Sequence, residues 1–243
     1  WRDIKEWSEA LMRIDAVAHE RVAAQDLRNA IVAFNGVLQP LAKQRRTQPA
    51  DDLVSVWANA DIDGFTYDSI RLYHEVGLFI AGGAETTRTA ISHGLRTFCD
   101  HRDQWNHLAA HPEAIPTAVE EVIRWVSPLN NFFRNAAADT SLAGADLAEG
   151  DRLILLYPAA NRDPRVFDDP NRFDATRSPN PHLGFGQGTH FCIGANLARY
   201  ELAILFEELT KRITGLSPVT EPDVEPNIFA RAVRSFHLGF TLR

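Results

Sequence analysis

The chain has 243 residues, 45% of them hydrophobic, enough for one sizeable core or two small ones. A formal net charge of −7, with no basic tail and no low-complexity tract, argues against a nucleic-acid partner. No apolar run nears the roughly 18 residues of a membrane span, no repeat of about 20–50 residues marks a solenoid, and two cysteines speak for a reducing compartment rather than a disulfide framework.

The sequence opens on Trp1 inside an amphipathic pattern, so it reads as cut from a longer chain. Ile4, Trp7, Leu11, Ile14 and Ala18 recur at intervals of three and four. Leu27, Ile31, Phe34, Leu38 and Leu41 repeat the pattern to near Arg45-Arg46, which predicts a helical hairpin. A short helix over about Asp51 to Ala58 follows, then a turn at Asp61-Ile62-Asp63-Gly64. Thr66 is the expected cap of a long helix reaching about Cys99 with no proline inside it. Its centre, Ala81 to Thr87, reads A-G-G-A-E-T-T. Gly82 and Gly83 each cost about 1 kcal/mol in a helix; close packing or room for a ligand against the helix wall would compensate. The residues alone leave both open. Thr86 can also bond back to the Gly82 carbonyl, which bends a helix.

A helix over about Asp103 to Ala110 ends at Pro112. Pro116 suits the first turn of the next, Ala118 to Trp125, which Ser127-Pro128 stops. That helix carries Glu121 and Arg124, an E-x-x-R pair of the kind that covers many helix surfaces. Strands are predicted over Asn131 to Ala136, with Arg134 on it, Leu142 to Leu147 and Arg152 to Tyr157. A helix over Ala195 to Ile213 is expected to turn Leu197, Tyr200, Ile204 and Leu205 inward. The tail, Ser217 to Arg243, reads as loops and a terminal hairpin, with Ile228-Phe229 facing a pocket.

The stretch Leu183 to Gly194 reads L-G-F-G-Q-G-T-H-F-C-I-G and runs directly into that last helix. Its glycines allow a close backbone approach or positive φ. Cys192 falls where the loop becomes helix, and the free N–H groups there favour a thiolate, hence a nucleophile or a metal ligand. Neither Walker A nor dinucleotide spacing fits: no Lys-Ser/Thr follows, and Phe191 stands at the third glycine position. A zinc site from His182, His190 and Cys192 lacks the usual paired spacing. A plain buried cysteine does not account for F-G-x-G-x-H-x-C-x-G. This pattern resembles the haem-binding loop of the cytochrome P450 family, whose cysteine ligates haem iron.

The resemblance extends in order over the Ala81–Thr87 centre, E-x-x-R, Pro170-Asn171-Arg172-Phe173 and the cysteine loop. It implies a mainly α fold with small β-sheets (α+β): one domain over 1–243 lacking its N-terminal helices, with 1–46 roofing the cavity, 66–99 the distal helix and 182–214 the cysteine loop and its helix. It implies haem b (iron protoporphyrin IX) on Cys192, with Phe185, Gly186, Gly188 and Gly194 shaping the loop and N–H groups near Phe191 to Gly194 tuning the sulfur. Arg134 and His190 match the propionate contacts. Glu121, Arg124 and Arg172 form the structural Glu–Arg–Arg cluster. Glu85 and Thr86 match the residues that deliver protons while dioxygen is cleaved, a pair that peroxide-driven members generally lack. Leu78, Ala81, Gly82, Asn130, Phe132 and Phe229 are the candidate lining for a lipophilic substrate, of terpenoid, steroid or polyketide kind. The implied activity is a monooxygenase of soluble, cytoplasmic bacterial type, fed by a ferredoxin and its NAD(P)H-dependent reductase. A non-catalytic haem carrier or partner-binding fragment is the alternative.

Overall fold

The computed structural model describes residues 2–18 and 20–243, without the side chains of Ile14 and Asp15. The expected inward position of Ile14 and the reading of Trp1 lie outside the described residues. Two compact units, Trp1–Glu85 and Thr86–Arg243, divide the chain.

The first unit holds α1 (Arg2–Met12), a 3₁₀ turn (Ile14–Ala18), α2 (Arg21–Thr47), α3 (Leu53–Asn59), the hairpin β1 (Asp61–Ile62) and β2 (Phe65–Thr66), and the first half of α4 (Ser69–Asp100). The predicted hairpin of helices is present, and α2 runs unbroken through Pro40. Phe34, Leu38 and Ala42 of α2 pack on Leu72 and Val76 of α4, with Trp7 and Tyr73 beside Phe34 at ring distances of 5.3 and 5.2 Å. Two expectations shift here. The buried side chains of α1 are Ser8 and Met12, while Ile4 is exposed. Thr66 ends β2 instead of capping α4; Asp68 takes that place, accepting from the N–H groups of Ile70 and Arg71 at 3.0 and 2.8 Å. An anionic acceptor at a helix start satisfies free donors and meets the positive end of the helix dipole.

The second unit begins inside α4, which spans about 48 Å in all at 1.5 Å per residue. It adds α5 (Arg102–Ala110), α6 (Ile115–Val126), β3 (Asn131–Asn135), β4 (Thr140–Leu142), β5 (Ala145–Leu147), β6 (Arg152–Leu156), α7 (Tyr157–Ala160) and α8 (Ala195–Arg212). Four strands, β7 (Ile213–Pro218), β8 (Asp223–Val224), β9 (Val233–Ser235) and β10 (Leu238–Leu242), complete it. The strands pair only in antiparallel ribbons of two: β3 with β6, β4 with β5, β7 with β10 and β8 with β9. The fold is therefore mainly helical with small sheets, as the sequence implied. The strand expected over 142–147 instead turns back on itself, because Ala143 and Gly144 take φ of 50° and 85°.

The core of this unit is aromatic. Phe98 of α4 meets Trp105, Phe173 and Phe206 edge-on at 5.4, 5.4 and 5.6 Å. Residues of α6 and α8, among them Val119, Val122 and Leu202, close around them. On α8 the inward residues are Ala195, Leu202, Phe206 and Thr210; Leu197, Tyr200 and Ile204 are exposed, and Leu205 is half-buried. The expectation failed because α8 carries apolar residues on two faces, so periodicity alone cannot say which one is covered.

Candidate functional site

The loop ahead of α8 is fixed by its own backbone. Gly186 and Gly188 have φ of 70° and 77°, in the left-handed region that glycine adopts without penalty. Their turn lets the Cys192 N–H donate to the Phe185 carbonyl at 2.9 Å and the Phe191 N–H to the Gly188 carbonyl at 3.0 Å. Gly184 answers a different need: a Cβ there would lie 2.6 Å from Cγ2 of Ile123, so the loop passes directly over α6. Gly194 is the N-cap of α8, and a Cβ on it would meet only the Cys192 sulfur, at 3.9 Å. Cys192 is exposed, between Phe191 at 51% and Ile193 at 86% exposure.

Two ionic groups on α6 hold this loop. Glu121 and Arg124 are both fully buried and form a two-point pair with N–O distances of 2.7 Å. The remaining Arg124 donors go to the carbonyls of Asn161 at 2.8 Å, Pro170 at 2.9 Å and Arg172 at 3.1 Å. The same Asn161 accepts the Leu183 N–H at 2.7 Å on its side chain, which ties the pair to the start of the cysteine loop. The third arginine is a correction. Arg172 turns outward, its side chain 67% exposed and 3.9 Å from Asp174, and gives the cluster only its carbonyl. Arg177 reaches Glu121 instead, at 3.2 Å. Phe173 takes the inward position beside Arg172 and is itself buried in the core, so its neighbour must face out; the turn from Asp174 to Arg177 then brings the next arginine back.

Glu120, the neighbour of Glu121, makes a second anchor that sequence reasoning missed. Its carboxylate meets His182 at 3.0 Å and takes two bonds from Arg199 at 2.7 and 3.0 Å. Burial alone would raise this carboxyl; the hydrogen bonds from His182 and Arg199, with their charge, outweigh it and hold it down at about 2. The other His182 nitrogen accepts the Gly184 N–H at 3.1 Å, and the Arg199 guanidinium lies 4.5 Å from the centre of the Phe185 ring. Both nitrogens of His182 are thus engaged inside the fold, which leaves the zinc set considered above without one member. Nothing in the spacing of Glu120, Arg199, Asn161 or Arg177 distinguishes them from surface residues.

The remaining candidates fall in two groups. Arg134, on β3, is exposed and donates to the carbonyl of Phe133 at 2.8 Å; His190 is exposed at the end of a 3₁₀ turn over Gly188–His190. Asn130, Phe132 and Phe229 are brought together: the Asn130 N–H donates to the Phe229 carbonyl at 2.7 Å, and the two rings meet edge-on at 5.2 Å. In the first unit, Leu78 and Gly82 are exposed and Ala81 half-buried along α4, with Glu85 buried beyond them. Among the described residues, a Cβ at Gly82 or Gly83 would meet nothing within 4 Å. Thr86 opens the second unit, half-buried.

The donor set fits a haem. One exposed sulfur on a rigid loop, flanked by apolar side chains, suits a metal that brings its own ring of ligands and needs a single protein donor. Among the described residues, no group of three or more His, Cys, Asp or Glu could hold a bare ion. The comparisons with known proteins agree. The Cytochrome P450 family model matches residues 104–214. A steroid C26-monooxygenase of Mycobacterium tuberculosis is 37% identical over 97% of this chain and 64% of that protein. A linalool 8-monooxygenase of Pseudomonas putida is 37% identical over 88% of this chain and 52% of its own length. A Mycobacterium marinum cytochrome P450 solved in complex with pseudoionone superposes with a TM-score of 0.90 at 35% identity, over 98% of this chain and 58% of that one. The chain thus spans between half and two thirds of these relatives. With its cysteine loop, its buried Glu121–Arg124 pair joined by Arg177, and its fold all of one kind, the chain belongs to the cytochrome P450 family.

Proposed function

We propose that the chain forms the haem-thiolate part of a monooxygenase that inserts one oxygen atom of dioxygen into a C–H bond of a lipophilic molecule. Haem b is the cofactor, and Cys192 would hold its iron through the thiolate sulfur. The observation that carries this reading is the exposed thiol at the head of α8, held by the bond from the Cys192 N–H to the Phe185 carbonyl. When bound, the haem supplies dioxygen activation, which a thiolate ligand directs toward O–O cleavage.

The chain's own residues bind, orient and protonate. Gly186 and Gly188 turn the backbone so that the Cys192 N–H meets the Phe185 carbonyl and the thiol stands at the head of α8. Arg134 and His190 supply donors for the two carboxylates of the porphyrin. Asn130, Phe132 and Phe229 offer an apolar surface to the substrate, and the family resemblance assigns the same role to Leu78, Ala81 and Gly82. The Glu85 carboxyl holds a proton, and the Thr86 hydroxyl, one residue on, passes it to the reacting oxygen. Electrons come from a ferredoxin and its NAD(P)H-dependent reductase. A reducing compartment, the cytoplasm, keeps the thiol available. The relatives named for a steroid and for linalool support a terpenoid or steroid substrate.

The test is Thr86→Ala in the haem-loaded chain, driven by ferredoxin and reductase with linalool as probe. Haem binding should persist while the share of electrons released as hydrogen peroxide rises by about tenfold, the scale of one lost proton-transfer group. An unchanged share would refute the proton-relay role. Because the chain spans only part of its relatives, a haem-binding fragment without turnover is the second reading; a thiolate spectrum with no product under the same conditions would select it.

A further inference from the structure

Ser8 sits on the inward face of α1 with no exposed surface. A buried hydroxyl must find a partner. Inside a helix the nearest one is the carbonyl four residues back, the bond Thr97 makes to His93 at 2.8 Å in α4. Ser8 does otherwise. Its Oγ donates to Oε1 of Glu85 at 2.7 Å, across 77 residues of sequence, and Glu85 is itself only 2% exposed.

The choice of a serine has a chemical consequence. An arginine or lysine partner can only donate, so it would hold the carboxyl when ionised and release it when protonated. A hydroxyl both donates and accepts, and its hydrogen rotates freely. Ser8 can donate to the carboxylate and accept from the carboxylic acid with the same heavy-atom geometry. A group that must take up and give away a proton in each cycle is then held in one place through both states.

We propose that Ser8 is a positioning residue for Glu85, its hydroxyl fixing the carboxyl in both protonation states, so that α1 sets where the proton-delivering acid stands. The proposal rests on the reading of Glu85 given above. Two measurements test it on the full chain, with Ser8→Ala, Ser8→Thr, Glu85→Ala and the Ser8→Ala/Glu85→Ala double variant. First, urea unfolding of the parent, the two alanine variants and the double variant: the two alanine changes should shift the midpoint by amounts that do not add, and simple additivity would overturn the contact. Second, the share of NADH electrons released as hydrogen peroxide by the haem-loaded protein, with ferredoxin, reductase and linalool. Ser8→Ala should raise it by about twofold to tenfold, the scale of a lost hydrogen bond, and Ser8→Thr, which keeps the hydroxyl, should restore it. A share unchanged in Ser8→Ala would overturn the positioning role even where the unfolding data couple. Loss of the thiolate spectrum in the parent would instead strike the haem reading, and the unfolding cycle would still judge the contact.

Discussion

Glu120 and Glu121 are adjacent on α6 and serve different parts of the cysteine loop. Glu121 is sealed with Arg124 and Arg177, while Glu120 keeps some exposure and binds His182 and Arg199, which in turn touch Gly184 and Phe185. The Glu120 carboxyl lies near 4.5 in an unfolded chain and at about 2 here. A depressed carboxyl stabilises the fold fully above its unfolded value, and that contribution is lost as the pH falls from about 4.5 to about 2. Glu120→Gln should therefore lower stability at pH 7 by about 1–3 kcal/mol, and the gap to the parent should close as the pH approaches 2. Urea unfolding over that range reads it; a gap independent of pH would contradict the assignment. None of this was visible in the sequence, where nothing singles out Glu120 and His182 reads as a possible zinc ligand.

At the scale of elements, α6 is the frame on which the loop rests. Arg124 spends every N–H it has, two on Glu121 and three on carbonyls of the segments around Asn161, Pro170 and Arg172. Removing one partner of a buried pair leaves the other charge unpaired, so Arg124→Ala should cost about 3–5 kcal/mol in urea unfolding. Arg172→Ala should cost less than about 0.5 kcal/mol, because its exposed side chain contributes nothing to the cluster. Equal losses would show that the cluster is organised differently. The E-x-x-R pair, the helices and the loop were legible because each leaves a local pattern. The third arginine was not: which of Arg172 and Arg177 turns inward depends on Phe173 occupying the core, a tertiary fact. The same limit applies to α8, whose two apolar faces are equivalent until Leu202 and Phe206 meet Phe98, and to 142–147, where Ala143 reads as strand and adopts a turn.

Over the whole molecule, the chain divides into two compact units, the first running to Glu85 and the second starting at Thr86. The family could be read from motifs in order, since chemistry that requires a cysteine at a helix start among glycines leaves few alternatives. The chain's reach over only part of its relatives makes haem ligation the claim on which activity, partners and substrate all depend. One spectrum tests it. The chain should be loaded with iron protoporphyrin IX, reduced and exposed to carbon monoxide, beside Cys192→Ser and Cys99→Ser, the latter removing the buried second thiol. The parent and Cys99→Ser should show the strongly red-shifted Soret band of thiolate ligation, and Cys192→Ser should lose it. An unshifted band in the parent, or the same red-shifted band in Cys192→Ser, would contradict the account.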